Sequence, residues 1–516
     1  MLEELRVQLV SVKGDPVPCD VMYTVDRRGF PFWSEWKPEG PGEVAIRYPK
    51  TQPFEIAILW EVPGFGQVMV TADNEGKGYR LAGCKTIDFR LEAARSKVRR
   101  VRERMVLLSR SGYALAPALR RMERAEAALR LALDATQRTP CAYDRPQSET
   151  AAWADEALTE ASWAGEEIEL IKARQDIANM SKERRRSLLF GSTFFTGPSR
   201  ADGSELFIQH FVELFDFATM PFYRGRLEPV PGKVDWEPLD RTLDWLGSKG
   251  IQAKGHPLSW YIKPAGLPRW MQKLSYCSLK EVVYRQIYQT VSRYKDRIKT
   301  WDVINEAYDP VTLDAGHLDL SRDQAIELTA LACKATRDAD PQAIRIVNCN
   351  KLEGYYRGDV EGREPMHAIE YLERLQEHGV EYEVLGLQMY QGATDHPMGD
   401  MASQSALIDR YIALGKPIHI TEVQVPSAVE GKTSYIRLDP AEGGWWHRPW
   451  DLETQADWVE QFYTIALSKP EVQAITWWSL SDRSTFWPRG GLLDEGDQPK
   501  PSFHRLRDLI EQVRRG

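Results

Sequence analysis

The sequence predicts an α/β protein in which a (β/α)8 TIM barrel follows a small β-sandwich and a helical segment. After Arg186, eight strand candidates alternate with amphipathic stretches, as expected for parallel strands joined by helices. Residues 1–88 alternate apolar runs with turn signals, whereas residues 89–186 are rich in Ala, Glu, Arg and Leu at helical spacing. We therefore predict a β-sandwich accessory domain at 1–88, a helical segment at 89–186 and a catalytic barrel at 187–516.

The first two parts divide further into individual elements. The predicted sandwich strands are Val7–Val12, Asp20–Val25, Glu43–Tyr48, Phe54–Glu61 and Gln67–Thr71. The helical segment is broken near residues 109–117 and 139–146, which predicts three helices, the last beginning at Ser148 as N-cap. The basic stretch Lys97–Arg104 lies on the first of these helices beside apolar residues at helical spacing, and we interpret it as a solvated face rather than a nucleic-acid site.

The barrel region supplies one strand candidate for each position of an eight-stranded barrel. These candidates are Leu188–Phe195, Phe217–Tyr223, Ile251–Trp260, Ile298–Glu306, Ile344–Asn350, Val384–Tyr390, Ile418–Val423 and Ala474–Asp482. The fourth contains Glu306 at its end, and the seventh contains Glu422 next to its end. Active sites of such barrels are built at the carboxyl ends of the strands, so we expect the two carboxylates to meet there.

Net charge, hydropathy and cysteine spacing argue against several classes of partner. The 67 basic and 75 acidic residues give a net charge of -8, which does not attract nucleic acid or an anionic membrane. No apolar run approaches eighteen residues and the N-terminus lacks a signal-peptide pattern, so we expect a cytoplasmic protein, or a secreted one if a leader has been removed. The six cysteines are widely spaced without a C-x-x-C pair, which predicts reduced thiols and no metal site.

Five motifs along the barrel region give a family resemblance over about residues 190–510. They are Gly255-His256-Pro257-Leu258-Ser259-Trp260, Trp301-Asp302-Val303-Ile304-Asn305-Glu306-Ala307, Gly386-Leu387-Gln388, Ile420-Thr421-Glu422 and Trp477-Trp478-Ser479-Leu480-Ser481-Asp482. In order and strand placement the chain resembles glycoside hydrolase family 10, whose typical members are endo-β-1,4-xylanases.

The resemblance implies roles for the residues in these motifs. Glu306 is the expected acid/base and Glu422 the expected nucleophile of a retaining reaction, with carboxyl groups about 5–5.5 Å apart. Asn305 is the expected donor to the sugar 2-hydroxyl. Further substrate contacts are expected, by the resemblance, from His256, Gln388, Trp478, Trp487 and Trp260, although Trp260 fits the barrel core equally well.

Three departures from the family bear on the substrate. The second-strand motif Glu-Asn-x-x-Lys-Trp is replaced by residues 219–224, where Tyr223 and Arg224 are the remaining candidates for contact with sugar. Tyr261 and Tyr390 stand where the family has histidines. A tyrosine can still donate to the nucleophile, so we expect the chemistry to be kept while recognition changes.

Two aromatic regions lie outside these motifs. The long loop Gly443–Trp450 carries three tryptophans, and we expect at least one of them to wall a sugar cleft; the alternative is that they hold the loop's own shape. In the N-terminal strands, Phe30–Trp36 and Trp60 fit a carbohydrate-binding face or a buried scaffold. We favour a buried structural role for these aromatics because no flexible linker separates the N-terminal strands from the barrel. We expect the sandwich and the helices to pack on the barrel as one rigid body.

The resulting hypothesis is a retaining hydrolase of β-1,4-linked xylan or xylo-oligosaccharides with no cofactor. Its expected partner is a carbohydrate, with neither nucleic acid nor membrane, and the sequence leaves the oligomeric state open. Two alternatives remain: an exo-acting or small β-glycoside hydrolase of the same family, and a catalytically silent carbohydrate-binding protein.

Overall fold

The computed structural model describes residues 4–516 apart from 12, 14, 18–19, 48–51, 82–83, 139–147, 196–203, 263–264, 310–317, 319 and 355–365. Its N-terminal strands form two sheets, of which one has the order β4-β5-β1-β8. The second sheet contains β7-β6-β2-β3. The strands are β1 Glu4–Gln8, β2 Met22–Asp26, β3 Pro31–Phe32, β4 Glu35–Gly40, β5 Glu43–Arg47, β6 Phe54–Val62, β7 Gly66–Ala72 and β8 Cys84–Asp88.

All five predicted sandwich segments overlap a strand, although β1 ends at Gln8 and shares only two residues with the predicted segment Val7–Val12. The predicted ends Val12 and Tyr48 lie outside the described residues. Strand β7 shows why the pattern is informative: Val68, Val70 and Ala72 are buried and alternate with partly exposed residues, as one-sided burial of a strand requires. Trp60 is buried against Phe89, which supports the scaffold interpretation for that residue.

In the described part of the segment that follows the sandwich there are four helices. They are α1 Phe89–Arg110, α2 Ala116–Arg138, α3 Ser148–Ala178 and α4 Lys182–Ser187. The Asp88 side chain accepts hydrogen bonds from the backbone N–H groups of Arg90 and Leu91, which satisfies donors at the start of α1. Helices α2 and α3 pack closely because small side chains occupy their facing sides. These buried alanines are Ala118, Ala125, Ala128, Ala132, Ala154, Ala157, Ala161 and Ala164.

The basic stretch of α1 is not simply a solvated face, so that interpretation is corrected. Lys97 forms an ion pair with Asp400 of the barrel region, and Arg104 binds Glu169 of α3 at 2.5 Å. Arg100 binds Asp73 of the sandwich at 2.8 Å. The charges match acidic partners on the surrounding layers, so they hold α1 between the sandwich and the barrel.

Eight parallel strands close into a barrel in the order β10-β11-β12-β13-β14-β15-β19-β9. The strands are β9 Leu189–Thr193, β10 Phe217–Pro221, β11 Gln252–His256, β12 Ile298–Asn305, β13 Ile344–Cys349, β14 Val384–Tyr390, β15 Ile418–Gln424 and β19 Val472–Trp477. Every predicted barrel strand is confirmed within a few residues. Strands β13, β14 and β15 are buried over nearly their whole length, as expected for parallel strands that are covered on both faces.

Helices alternate with these strands around the barrel. Those in the described residues are α5 Glu205–Leu214, α6 Arg224–Leu227, α7 Glu237–Ser248, α8 Tyr276–Tyr294, α9 Arg322–Ala339, α10 Ala368–Glu377, α11 Met401–Ile412, α12 Pro440–Gly443, α13 Leu452–Leu467 and α14 Pro501–Arg515. The long connection after β15 also contains the short strands β16 Gly431–Lys432, β17 Arg437–Leu438 and β18 Trp445–Trp446.

Strand β18 joins the barrel to the N-terminal sandwich. It pairs antiparallel with β7, Trp445 opposite Gln67 and Trp446 opposite Gly66, and so completes a five-stranded sheet. Trp446 and Trp450 are buried, the Nε1 of Trp450 donating to the Gly444 carbonyl at 3.1 Å. These two tryptophans therefore hold the shape of the loop and dock it on β7, as in the alternative interpretation, whereas Trp445 is partly buried.

A buried carboxylate fixes the same contact from the helical side. Glu166 of α3 accepts hydrogen bonds from the backbone N–H of Met401 at 2.8 Å and from Nε1 of Trp446 at 2.8 Å. Its second oxygen lies 2.7 Å from Nε2 of His447. A cavity of about 300 Å³ lies beside this contact, between α1, α3, β7 and α11.

Two composition-based expectations can be compared with the structure. Cys277, Cys333 and Cys349 are free thiols, whereas Cys19 and Cys141 lie outside the described residues. Among the described helices, none combines the length and apolar character needed to cross a bilayer.

Candidate active site

The two glutamates lie at the same end of the barrel. Glu306 directly follows β12, and Glu422 lies in β15 two residues before that strand ends. Glu306 has φ of 54°, a left-handed conformation that costs a non-glycine residue about 1–3 kcal/mol. Its backbone N–H is held by the Asn348 carbonyl at 3.1 Å. The surrounding strands thus impose an unfavourable conformation on the residue that carries the carboxylate.

Glu422 is almost fully buried and is held by two donors. The amide Nδ2 of Asn348 donates to its Oε1 at 2.9 Å, and the hydroxyl of Tyr390 donates to its Oε2 at 2.6 Å. The Nε2 atom of His256 lies 4.0 Å from Oε1, too far for a hydrogen bond. These contacts fix the orientation of the carboxylate inside the barrel mouth.

Glu306 is partly exposed and also receives two donors. Nε1 of Trp260 donates to Oε2 at 3.0 Å, and Nε2 of Gln388 donates to Oε1 at 2.9 Å. Trp260 and Gln388 come from opposite sides of β12, so the carboxylate is held between them. The structure therefore assigns Trp260 a polar contact at the site in addition to its packing.

A chain of amides connects the two carboxylates. Oδ1 of Asn305 accepts hydrogen bonds from Asn348 at 2.7 Å and from Gln388 at 3.2 Å. Because Asn348 also binds Glu422 and Gln388 also binds Glu306, one continuous network spans both acids. With Oδ1 engaged in the protein, Nδ2 of Asn305 is the atom suited to donate to a ligand.

Asn348 is a site residue that the sequence did not identify. It lies at the carboxyl end of β13, where its Oδ1 accepts a hydrogen bond from the Thr421 hydroxyl. A Cβ atom at Gly386 would approach that Oδ1 to 2.6 Å, so glycine on the neighbouring strand leaves room for the amide. The available signal was a polar residue inside the apolar run 344–349, which by itself does not distinguish a site residue from a satisfied structural one.

The environment changes the acidity of both carboxyl groups. Burial raises the pKa of Glu306 above its ordinary value, and the charge of Asp309 adds to this. Burial also raises the pKa of Glu422, with a further increase from the negative charge of Glu306. Because two neighbouring carboxylates resist simultaneous ionisation, the pair titrates jointly and retains a proton at higher pH than an isolated glutamate.

A buried cluster of Asp302, Lys254 and His256 lies beside Glu422 and orients the His256 ring. Asp302 is fully buried, and its Oδ2 lies 2.7 Å from both Nζ of Lys254 and Nδ1 of His256. Burial alone would raise the pKa of Asp302, but Lys254 and His256 outweigh it and hold that pKa low. Burial lowers the pKa of His256, which favours a neutral ring oriented by Asp302.

Aromatic rings surround the carboxylates. Trp478 is buried and meets His256 edge-on with ring centroids 5.0 Å apart. Trp487 is also buried and lies nearly parallel to Tyr390, with centroids 4.9 Å apart. Trp487 thus supports Tyr390, and both predicted tryptophans lie next to the site.

Tyr223 and Arg224, the two candidates for sugar contact after the second barrel strand, lie in different surroundings. Tyr223 lies beside His256 and Trp260, with ring centroids 6.0 and 5.6 Å away. Arg224 is buried and binds Glu228 through Nε at 2.7 Å, outside the cluster of rings around the carboxylates. The structure therefore brings Tyr223 to the site and does not bring Arg224 there.

A closed barrel of parallel strands with two linked glutamates at its carboxyl ends defines the class of barrel glycoside hydrolases. Comparisons with known proteins identify the family. The sequence model described as "Glycosyl hydrolase family 10" matches residues 222–509, more than half of the chain. This chain belongs to glycosyl hydrolase family 10 and is a glycoside hydrolase similar to endo-xylanases.

The three relatives described next are distant in sequence, and the matched region covers most of the length of each. Endo-1,4-beta-xylanase B of Thermotoga neapolitana is 25% identical over 298 residues, covering 55% of this chain and 77% of that protein. Beta-1,4-xylanase of Dictyoglomus thermophilum is 25% identical over 295 residues, covering 54% and 77% respectively. The crystal structure of xylanase 10B from Thermotoga maritima superposes with a TM-score of 0.50 at 22% identity, covering 65% of this chain and 99% of that chain. This last likeness concerns the fold alone.

Proposed function

We propose that this protein hydrolyses β-1,4-linked xylan or xylo-oligosaccharides with retention of configuration, using Glu306 as acid/base and Glu422 as nucleophile. One observation carries the proposal: a network of amide side chains joins the carboxylates of Glu306 and Glu422 at the carboxyl ends of β12 and β15. Similarity to named xylanases over the barrel supports the substrate class. Their reported identities of 25% support this class rather than any particular glycan.

The first step needs one proton shared unequally by the pair. In the productive form Glu306 carries the proton and Glu422 is ionised. Glu306 protonates the glycosidic oxygen while Glu422 attacks the anomeric carbon, so that the C–O bond breaks and a glycosyl ester forms. The Tyr390 hydroxyl and the Asn348 amide stabilise the ionised nucleophile before attack.

The second step reverses the role of Glu306. Once Glu422 is esterified, its negative charge is gone, and the pKa of Glu306 falls because the neighbouring repulsion is removed. Glu306, now ionised, takes a proton from water as the water oxygen attacks the anomeric carbon and releases Glu422. Asn305 would donate to the sugar 2-hydroxyl, a hydrogen bond that strengthens in the transition state.

A second candidate function is favoured by the changed second strand. Arg224 is engaged by Glu228 and Tyr223 is an aromatic ring, so this side of the site offers few polar groups to a chain of sugars. An exo-acting enzyme, or a hydrolase of small β-glycosides, needs fewer such groups. A silent carbohydrate-binding protein is disfavoured because it would not require two linked carboxylates of raised pKa.

Hydrolysis of polymeric xylan and of an aryl β-xyloside series, with products resolved by chain length, tests the proposal. Wild type is compared with Glu306→Ala and with Glu422→Ala. Cleavage of xylan to short oligomers that is lost in both variants supports an endo-xylanase. Activity on aryl glycosides alone supports the second candidate, and turnover by Glu422→Ala equal to wild type would overturn the mechanism.

A further inference from the structure

Tyr435 is an exposed aromatic ring on a fixed turn. It is 79% exposed, more than any other large hydrophobic residue among the described ones. It lies between β16 and β17, which pair antiparallel through Gly431 with Leu438 and Lys432 with Arg437. A ring so exposed gains little from folding, since it removes little apolar surface from water.

The turn that carries Tyr435 is anchored on both sides. The Thr433 hydroxyl oxygen accepts hydrogen bonds from the backbone N–H groups of Tyr435 at 3.3 Å and Ile436 at 3.1 Å. The same hydroxyl lies 3.0 Å from the Phe486 carbonyl, to which it donates. Ile436 and Leu438 are buried in one cluster with Tyr390, Trp478 and Trp487. The backbone under the exposed ring is therefore tied to the floor of the active site.

A short series of ring contacts leads from Tyr435 to the nucleophile. The Tyr435 ring lies 5.8 Å from the partly buried Phe486 ring, and Phe486 lies 5.7 Å from Tyr390. Tyr390 in turn donates to Glu422. Tyr435 thus stands two ring contacts away from the group that binds the nucleophile.

A further aromatic ring at the site is Tyr223, beside His256 and Trp260. Tyr223 follows β10 whereas Tyr435 lies in the connection after β15, so the two tyrosines come from different parts of the barrel.

We propose that the Tyr435 ring, supported by the tilted Phe486 ring packed beside it, is a platform on which a second sugar of a β-linked oligosaccharide stacks, so that Tyr435 determines specificity for chain length. This inference rests on the proposed function and adds a binding site to it. The apolar C–H face of a pyranose packs on an aromatic ring, and because the backbone of the turn is already anchored, binding does not have to order the turn itself. The platform offers contact area without the polar groups that the second strand lacks.

The test compares a substrate with one sugar against a substrate with several. For Tyr435→Ala we expect kcat/KM on xylotetraose to fall about 3- to 20-fold, whereas kcat/KM on an aryl β-xyloside stays within about 2-fold of wild type. Tyr435→Phe and Tyr435→Trp should restore the activity on xylotetraose because stacking needs the ring and not the hydroxyl. Tyr288→Ala is the matched control, since Tyr288 is an exposed tyrosine on the outer helix α8.

Several results would overturn the platform. Equal losses on both substrates would indicate a structural role for the turn, and unchanged kinetics on both would show that no sugar stacks there. If wild type hydrolyses no xylose-containing substrate, the proposed function itself fails. The platform is then tested by calorimetric binding of xylotetraose and cellotetraose to Glu306→Ala, with and without Tyr435→Ala. Loss of affinity on removal of the ring supports the platform, and equal affinities contradict it.

Discussion

The hydroxyl of Tyr390 donates a 2.6 Å hydrogen bond to Oε2 of Glu422. The Tyr390 ring is fixed by stacking on Trp487, and the amide of Asn348 holds the other oxygen of the carboxylate. A hydrogen bond from a fixed donor to a carboxylate favours its ionised form. Tyr390 stands where family 10 enzymes typically have a histidine, and its hydroxyl can donate a hydrogen bond to the nucleophile from that position.

Removing this hydroxyl tests its contribution. For Tyr390→Phe we expect kcat/KM to fall about 10- to 100-fold, because a hydrogen bond to a charged group contributes about 1.5–3 kcal/mol. The acidic limb of the pH–rate profile should also move to higher pH, because the Tyr390 hydrogen bond lowers the pKa of Glu422 and its removal raises that pKa. Steady-state kinetics across pH measure both effects. Tyr284→Phe, which removes a surface hydroxyl bound to Asp338, is the control, and an equal loss in that variant would contradict the assignment.

Asn348 provides a second test of the network. Asn348→Ala removes the donor shared by Asn305 and Glu422, so both side chains lose a fixed partner. We expect kcat/KM to fall about 100-fold or more while the circular dichroism spectrum is unchanged. Turnover within a few-fold of wild type would show that the network does not position the acids.

The pH dependence of kcat/KM should be bell-shaped. Activity requires one proton on the pair, so it falls at low pH when both acids are protonated and at high pH when both are ionised. Because burial raises the pKa of each group, the alkaline limb should lie well above the ordinary glutamate value of 4.5.

Glu306→Gln provides the control for this profile. With an aryl glycoside whose leaving group needs no protonation, the variant should keep the acidic limb and lose the alkaline one. An alkaline limb unchanged in this variant would contradict the assignment of Glu306 as the acid.

Glu166 tests how the sandwich, the helices and the barrel are held together. Glu166→Ala leaves the Met401 N–H and the Trp446 Nε1 without their acceptor, and we expect it to cost about 2–4 kcal/mol of the free energy of unfolding. Urea denaturation measures this. Glu167→Ala, at the next and more exposed position of α3, should cost less than about 0.5 kcal/mol. Equal costs for the two variants would show that the buried carboxylate does not anchor the layers.

The sequence predicts the barrel well because its signals are local. Most barrel strands contain Val, Ile, Leu or Phe in a segment of the right length, and Glu306 and Glu422 mark the carboxyl ends of two strands. Strand β18 could not be predicted, since Trp445 pairs with Gln67, which is far away in the chain. No local pattern specifies such a partner.

Individual site residues were predicted less completely than the barrel strands, because their contacts form only when distant parts of the chain meet. Gln388 and Trp260 were expected at the site, but their shared contact with Glu306 depends on the closing of the barrel. Asn348 was missed because one polar residue in a buried strand has no distinctive spacing. Arg224 was a candidate by position alone, and its pairing with Glu228, one turn later on the short helix α6, draws it away from the carboxylates.

The most direct test of the central claim is the trapping of the glycosyl-enzyme. The protein is incubated with a 2-deoxy-2-fluoro β-xylobioside that carries an activated leaving group, and the digested product is mapped by mass spectrometry. We predict one fluoroglycosyl adduct, on the peptide that contains Glu422, and none in Glu422→Ala. An adduct on another residue, or continued turnover of the reagent with no adduct at any time, would contradict the assignment of Glu422 as the nucleophile.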